Sequence, residues 1–459
     1  MEIIKTVFYF ILVIGVLVTV HEWGHFIAAR LSGIRADIFS FGMGKRLFGW
    51  HRKSGFTFGE LPEDFDFGET TDWRVSLIPM GGYVKVVGMV DESFDTEFEN
   101  KAPEPWEFRS KNAFLKAFVL SAGVIMNMIL AIVIFIVISF TNGTTVLEST
   151  TIGYVKPASL AEKIGLKDGD KVEKINNKII TDWNTIFKTL SLDDFGNDKT
   201  IQLVRNGKTE SIKVSGISIL DEIKKNKKDF SFGVAPFDKR VLIVHLNPNN
   251  PGFNAGLKDN DTVISLNNTQ IHEVKQFMGI LTENKGKQVA FKIKRGIEIK
   301  DFNVTTNSSG KIGTSINEVY SGKVKKVDYT LVESISEGWN QTTDIVNLIT
   351  GSFAQIFKGN VKVSESVAGP IMIAKESSRS ASMGFESFFR FMAMISISLA
   401  IMNILPFPAL DGGHLVFVLI EAIIRREVPI KVKMYIQNAG MAVLLLLFAY
   451  VIVMDIIRL

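Results

Sequence analysis

Five residues constrain this chain most. His21-Glu22-Trp23-Gly24-His25 lies inside an apolar run from about Val7 to Ala29. A segment at membrane depth must satisfy its own backbone groups, which makes it a helix. On a helix, positions i and i+4 share a face, so His21 and His25 can grip one metal ion, with Glu22 beside them to activate a bound water. Gly24 leaves the helix surface open between the histidines. Two imidazoles and a carboxylate in lipid are costly unless a metal or partner satisfies them. The bland alternative is a chance HExxH in a structural helix. Together the motif and its setting point to peptide hydrolysis inside a bilayer.

Four segments are long and apolar enough to span: about 5–29, 114–140, 387–410 and 436–457. Leu415 to Ile424 adds a short or interfacial apolar stretch. The first twenty residues have a signal peptide's apolar core but lack its basic start and small-residue cleavage site, so they read as a retained span. The 30–113 segment carries Arg30, Arg35, Lys45, Arg46, Arg52, Lys53 and Arg74, and 411–435 carries Arg425, Arg426, Lys431 and Lys433. Short basic loops face the cytoplasm, which sends both termini and the long middle segment outward and places the HExxH motif toward the cytoplasmic side. The net charge of +4 is small, and no basic helix interleaved with aromatics is present, so nucleic acid is not an expected partner. With no cysteine, disulfides and thiolate metal sites are excluded.

The middle segment repeats itself. Pro157 begins PASLAEKIGLKDGDKVEKINNKII, and Pro248 begins PNNPGFNAGLKDNDTVISLNNTQI, 91 residues later. The shared elements are Gly165–Asp170 with Gly256–Asp261, and Asn176-Asn177 with Asn267-Asn268. A period this long signals a duplicated domain rather than a solenoid. Each copy reads as a short helix ending at Gly, a polar turn and a strand, a pattern that resembles PDZ domains of bacterial proteases. The Lys224–Lys228 run between copies reads as a solvated loop. Residues 325–385 follow helical spacing at Trp339, Ile345, Leu348, Ile349 and Phe353, as an amphipathic element on the surface or packed on the bundle.

The expected fold is therefore a multi-pass α-helical membrane protein with four transmembrane helices, a membrane-associated β-hairpin and two inserted α+β PDZ-like domains. The boundaries are 1–143 for the first membrane half, 144–235 and 236–324 for the PDZ-like domains, 325–385 for the amphipathic linker and 386–459 for the second membrane half.

A catalytic zinc keeps three protein ligands and one open position. Asp411 suits the third. His21 lies ~25 Å along the first span, toward the side where the third span ends. Pro406 and Pro408 break that helix, and Gly412-Gly413 are expected to let the backbone turn sharply. His414 is a rival ligand, and an interfacial capping role for Asp411 is the bland reading. RVSLIPMGGYVKVV reads as a hairpin with its turn at Gly81-Gly82, and the Pro79–Val87 stretch, including Tyr83 and Val84, could hold an unwound substrate by strand addition. Asn403, polar at membrane depth, could hydrogen-bond substrate backbone or serve as helix–helix glue.

HEWGH on the first span, PMGGYVKVVG at Pro79–Gly88, the tandem repeat, AGPIMIA at Ala368–Ala374 and NILPFPALDGG at Asn403–Gly413 occur in an order that resembles the site-2 protease family across nearly the whole chain. The resemblance implies an intramembrane metalloprotease binding Zn2+ through His21, His25 and Asp411, with Glu22 as general base. It also implies single-span membrane protein substrates, such as pre-trimmed anti-sigma factors or remnant signal peptides, cleaved in the inner membrane of a bacterium. The outward PDZ-like domains would filter substrates or bind C-terminal peptides. Three positions depart from the family pattern: Ser398, Ala400 and Val124. A membrane-anchored PDZ receptor without enzymatic activity would need neither the HExxH nor a depth-matched Asp, and a transporter would not need a large duplicated insertion.

Overall fold

The computed structural model describes residues 2–62, 64–89, 102–225, 232–236, 239–320, 324–362 and 368–458. The chain forms two compact units, one of residues 1–142 with 328–459 and the other of residues 143–327.

The first unit is helical with one small sheet. Helix α1 (Glu2–Leu31) leads into strands β1 (Ala36–His51), β2 (Gly55–Phe58) and β3 (Asp72–Val86), then helix α2 (Ala113–Asn142). After the inserted unit come α8 (Leu331–Phe357), α9 (Pro370–Ser382), α10 (Phe385–Ile404), α11 (Asp411–Ile424) and α12 (Ile430–Arg458). Among the described residues, four helices are long and apolar enough to cross a membrane: α1, α2, α10 and α12. The short apolar stretch after the third of them is α11. Helix α2 is central and packs on α1, α8, α10 and α11.

Helix α8 keeps Ile345 and Ile349 of the expected linker face against the bundle but turns Trp339 outward. Trp339 is exposed, whereas Ser334, Gly338 and Thr342 are buried at i, i+4 spacing, with Ile345 and Ile349 packed below them. A Cβ at Gly338 would come within 2.6 Å of Ile136 Cγ1. Small residues let two helices approach closely, and here they set the contact with α2 at the start of α8, while the predicted Ile345 and Ile349 pack on Ala131 and Phe135 of α2. Asp455 sits fully buried in apolar α12, where its carboxylate accepts from the backbone N–H of Gly369 at 3.1 Å and Met372 at 3.0 Å. It caps the otherwise unsatisfied start of α9 from another helix.

The sheet also differs from the expected hairpin. Residues 83–86 do not pair with the preceding arm. Phe39–Phe41 face Val84–Gly82 and also face Trp73–Val75, while Phe48–Trp50 face Val75–Trp73. So β3 bends back between Ser76 and Gly82, and its 82–86 end lies along β1. Among the described residues that end pairs with β1 alone. Gly81 supplies the positive φ of 91°, whereas Gly82 is needed for space: a Cβ there would stand 2.6 Å from Ser40 O.

The inserted unit opens with β4 (Thr144–Leu147), β5 (Ile152–Val155), α3 (Leu160–Lys163), β6 (Lys171–Ile175), β7 (Lys178–Ile179), α4 (Trp183–Ser191), β8 (Lys199–Arg205), β9 (Lys208–Val214), α5 (Gly216–Lys225) and β10 (Val234–Pro236). Its second copy runs β11 (Lys239–Leu246), α6 (Pro251–Asn254), β12 (Thr262–Leu266), β13 (Thr269–Gln270), α7 (Val274–Glu283), β14 (Gln288–Arg295), β15 (Glu298–Thr305) and β16 (Thr314–Tyr320), closed by β17 (Val324–Val327), which pairs with β4. The sheets run β7-β6-β8-β9 and β15-β14-β12-β11-β16. Each copy has its own apolar core, one including Val172, Ile201 and Leu203, the other Val263, Phe291 and Ile293. Lys224 and Lys225 end α5 rather than lying in a loop, and residues 226–228 of that run fall outside the described residues.

The sequence repeat is reproduced atom for atom. Arg205 makes a two-pronged contact with Asp170, both distances 2.7 Å, and Arg295 does the same with Asp261 at 2.7 Å. The same guanidinia reach Gly165 O at 2.7 Å and Gly256 O at 2.9 Å. Asn176 and Asn267 adopt left-handed backbone, with φ 52° and 46°, and each side-chain oxygen accepts a strand N–H at 2.9 Å. The Gly-Leu-Lys-Asp-x-Asp signature thus exists to build a closed turn around a buried ion pair.

Candidate metal centre

Among the described residues, His21, His25 and Asp411 form a cluster whose ligand atoms all lie within 4.8 Å of one another. The helical spacing brings His21 Nε2 to 3.1 Å from His25 Nε2. Asp411 Oδ2 lies 3.0 Å from the first and 3.4 Å from the second. All three residues are largely withdrawn from solvent. Asp411 Oδ2 is fully buried yet accepts no well-formed hydrogen bond. Three lone-pair-bearing atoms aimed at one buried spot repel one another unless a cation sits among them. The donor set, two imidazoles and a carboxylate with room for a fourth ligand, matches a catalytic zinc site.

The surroundings fix the rings. Val119 O accepts from His25 Nδ1 at 2.8 Å, which leaves Nε2 with its lone pair toward the cluster. Asn127, fully buried on α2, places its amide 3.3 Å from His21 Nδ1. With the amide oxygen toward the ring, it accepts Nδ1–H and frees His21 Nε2 in the same way. Ser396 on α10 donates to Asn127 O at 2.8 Å, tying α10 to the same point.

Glycines decide how closely the elements approach. A Cβ at Gly123 would fall 2.5 Å from His25 Nε2 and 2.6 Å from His21 Cε1. Gly24 is not an opening between the histidines but the seat of α2: a Cβ there would lie 2.7 Å from Ala122 C. Gly412 and Gly413 do not make the turn before α11 either. They are helical, and each abuts a carbonyl of the preceding loop, Leu405 O and Phe407 O. The turn is made by Ala409, at φ 75°. Asp411 therefore opens α11 instead of ending the third span.

A cavity of about 260 Å³ surrounds the cluster, lined among others by Glu22, Gly81, Gly82, Tyr83, Val84 and Asn403. Every sequence-selected residue thus meets in one place. Asn403 Nδ2 is 3.4 Å from His21 Nε2. Glu22 faces Gly82, whose added Cβ would lie 3.8 Å from Glu22 Cγ. His414 lines the cavity but is outside the ligand cluster, since Gln437 on α12 donates to its Nε2 at 2.8 Å. Of the departures from the family pattern, Val124 leaves α2 unbroken, Ala400 is buried, and Ser398 donates to its own helix at Met394 O. Sequence reasoning passed over Gly123, Asn127's ring contact and Gln437. The small residue one position before Val124 was the available sign for the first.

Apolar helices around a buried two-histidine, one-carboxylate cluster define a membrane-embedded metalloprotease class. The model of peptidase family M50 matches residues 9–447, and the chain belongs to that family of zinc metalloproteases, the site-2 proteases. It is similar to the "Regulator of sigma E protease" of Haemophilus influenzae, 30% identical over 98% of each chain. It is likewise similar to "Protease RseP" of Yersinia pestis, 27% identical over 100% of each, and to "Regulator of sigma-E protease RseP" of Salmonella typhimurium, 27% identical over 98% of each.

Proposed function

We propose that this zinc metalloprotease cuts transmembrane segments of single-span membrane proteins, with His21, His25 and Asp411 holding the zinc and Glu22 as general base. The observation that carries the assignment is the buried Asp411 Oδ2, 3.0 Å from His21 Nε2 and without a hydrogen-bond donor. Zinc bound there supplies a Lewis acid and acidifies a water. Glu22 takes the proton as water attacks the scissile carbonyl and delivers it to the leaving amide nitrogen. Asn403 donates to the substrate backbone beside the cut. The 82–86 edge of β3 lines the same cavity and holds the unwound substrate as an added strand. A helical substrate hides its peptide bonds, so this edge compensates for unwinding.

The relatives' names connect them to control of sigma E, and by that likeness the substrates include anti-sigma factors trimmed beforehand and remnant signal peptides. The two halves of the inserted unit are PDZ-like, face away from the cytoplasm and filter substrates or take C-terminal peptides. The membrane is a bacterial inner membrane, and the zinc site lies toward its cytoplasmic side.

Metal analysis and a detergent cleavage assay test the assignment. Asp411→Ala should lose most zinc. Glu22→Gln should keep zinc and lose about 10²- to 10⁴-fold in rate. Full zinc occupancy in Asp411→Ala would overturn that ligand and redirect attention to His414, and near-normal turnover by Glu22→Gln would remove the base.

A further inference from the structure

Away from the metal centre, a second cavity of about 290 Å³ opens between the first turn of α2 and the last turn of α11, lined by Ala113, Lys116, Val418, Glu421, Ala422, Arg425, Arg426 and Glu427. Three cations line it. Arg425 and Arg426 have no ion-pair or hydrogen-bond partner among the described residues, and Lys116 Nζ has only Glu427 at 3.9 Å and the face of Phe108 at 5.8 Å. Of the two acids, Glu421 is already neutralised: Lys433 Nζ stands 2.6 Å away and Val428 N–H donates at 2.8 Å. Glu427 is mostly exposed. The cavity therefore carries an uncompensated positive charge.

Exposed apolar side chains stand beside these cations on the same helices. Phe114 is 79% exposed, Leu419 60% and Ile423 72%, all within a turn or two of the three cations. Arg425 caps α11 in the left-handed region at φ 54°, a position where Gly or Asn is the low-energy choice. A guanidinium held there at a conformational cost is consistent with a use for its charge.

A free phosphate would explain the cations but not the exposed apolar side chains beside them on the same helices. Cations beside an exposed apolar wall at the end of a membrane helix match a phosphodiester headgroup whose acyl chains lie along that wall. We propose that this cavity binds the headgroup phosphate of an anionic phospholipid, with Lys116, Arg425 and Arg426 as its contacts and the surface of Phe114, Leu419 and Ile423 against the acyl chains. Because α11 begins at Asp411 and is capped by Arg425, the lipid anchors the far end of the helix that carries the carboxylate.

The test uses the full-length protein in nanodiscs of phosphatidylcholine with or without phosphatidylglycerol, and native mass spectrometry after detergent release. The wild type should retain a phosphatidylglycerol that R425Q/R426Q binds at least roughly tenfold more weakly. The same loss in K116Q supports the site, and R379Q, an exposed arginine on α9, should match the wild type. Zinc content of each variant separates loss of lipid from loss of fold. Equal retention by wild type and R425Q/R426Q would overturn the proposal. So would displacement of the lipid by millimolar inorganic phosphate, which would mark the site as one for free phosphate. Neither outcome bears on the zinc assignment, whose readout is independent.

Discussion

The molecule buries ionisable side chains in two contrasting ways. In the inserted unit, Asp170 and Asp261 are withdrawn from solvent, but each meets its own arginine through two contacts of 2.7 Å and a backbone N–H at 2.8 Å. Both oxygens of each carboxylate have a donor. In the helical unit, His21, His25 and Asp411 are gathered just as tightly, yet Asp411 Oδ2 has no donor and three acceptor atoms confront one another. A closed pair holds a turn in place. An open cluster is costly in the bare protein and becomes favourable only when a cation enters. Buried charge alone therefore does not mark a site; incomplete satisfaction does.

The sharpest way to break this contrast is to disturb the open cluster without touching a ligand. Gly123→Ala puts a methyl group where both imidazoles now stand. The rings must rotate away from Val119 O and Asn127, and zinc content should fall severalfold with cleavage falling in parallel, while the helical content stays at the wild-type level. A Gly123→Ala protein with full zinc and normal turnover would show that the ring positions are not set by α2.

Opening a closed pair should have a different signature. Arg205→Met and Arg295→Met each strand a buried aspartate, at a cost of about 3 kcal/mol. Because the two turns are copies, the losses should be similar, and hydrogen exchange should confine them to the half that carries the substitution. Zinc content should be unchanged. If one half proves insensitive, its ion pair is not what holds its turn.

A smaller effect, on substrate rather than fold, tests the strand edge. Val87 N–H donates to Arg35 O at 3.0 Å, so by alternation Lys85 N–H also turns toward β1 and Val84 N–H toward the free edge. Val84→Pro should lower the cleavage rate with zinc retained, whereas Lys85→Pro should destabilise the sheet. Substrates with Gly or Pro near the cut should be favoured, since unwinding them costs less. Equal cleavage of a poly-Leu and a Gly-containing substrate, together with a fully active Val84→Pro, would remove strand addition.

Much of this was legible in the sequence because the signals are local. The i, i+4 histidines, the four apolar runs and the 91-residue repeat each report directly on one element or one turn. Asp411 could be placed because depth along a span follows from residue count. What was not legible depends on contacts between distant segments. Gly81-Gly82 looked like a hairpin turn because its neighbours are β-prone, but β1, some 40 residues earlier, outcompetes the local partner. Gly24, Gly412 and Gly413 were assigned to openness or turning, when they are points where another backbone presses close. No single-sequence pattern separates these two uses of glycine.

The smallest expected effect lies where the two copies of the repeat meet in the inserted unit. His272 stacks on Tyr154 with ring centroids 4.8 Å apart, and Arg240 donates to its Nδ1 at 3.1 Å. Burial, and then the adjacent Arg240 charge, hold its pKa below the ordinary 6.5, against a hydrogen bond to the Lys239 backbone and the Asp168 charge, which raise it, and with a smaller lowering from the Lys239 charge. The Lys156–Glu273 pair at 3.6 Å flanks it. In the unfolded chain the imidazole takes its proton near 6.5, whereas the folded form resists. The stabilisation is therefore complete above that pH and is lost as pH falls from 6.5 toward the depressed folded value. His272→Phe keeps the ring stack, removes the titration, and leaves Arg240 its contact with Lys239 O at 2.8 Å. Between about pH 7.5 and 5.5, hydrogen exchange of 152–155 and 271–274 in the full-length wild type should accelerate more than in His272→Phe. Identical pH dependence in the two proteins would mean that this contact between the copies does not respond to protonation.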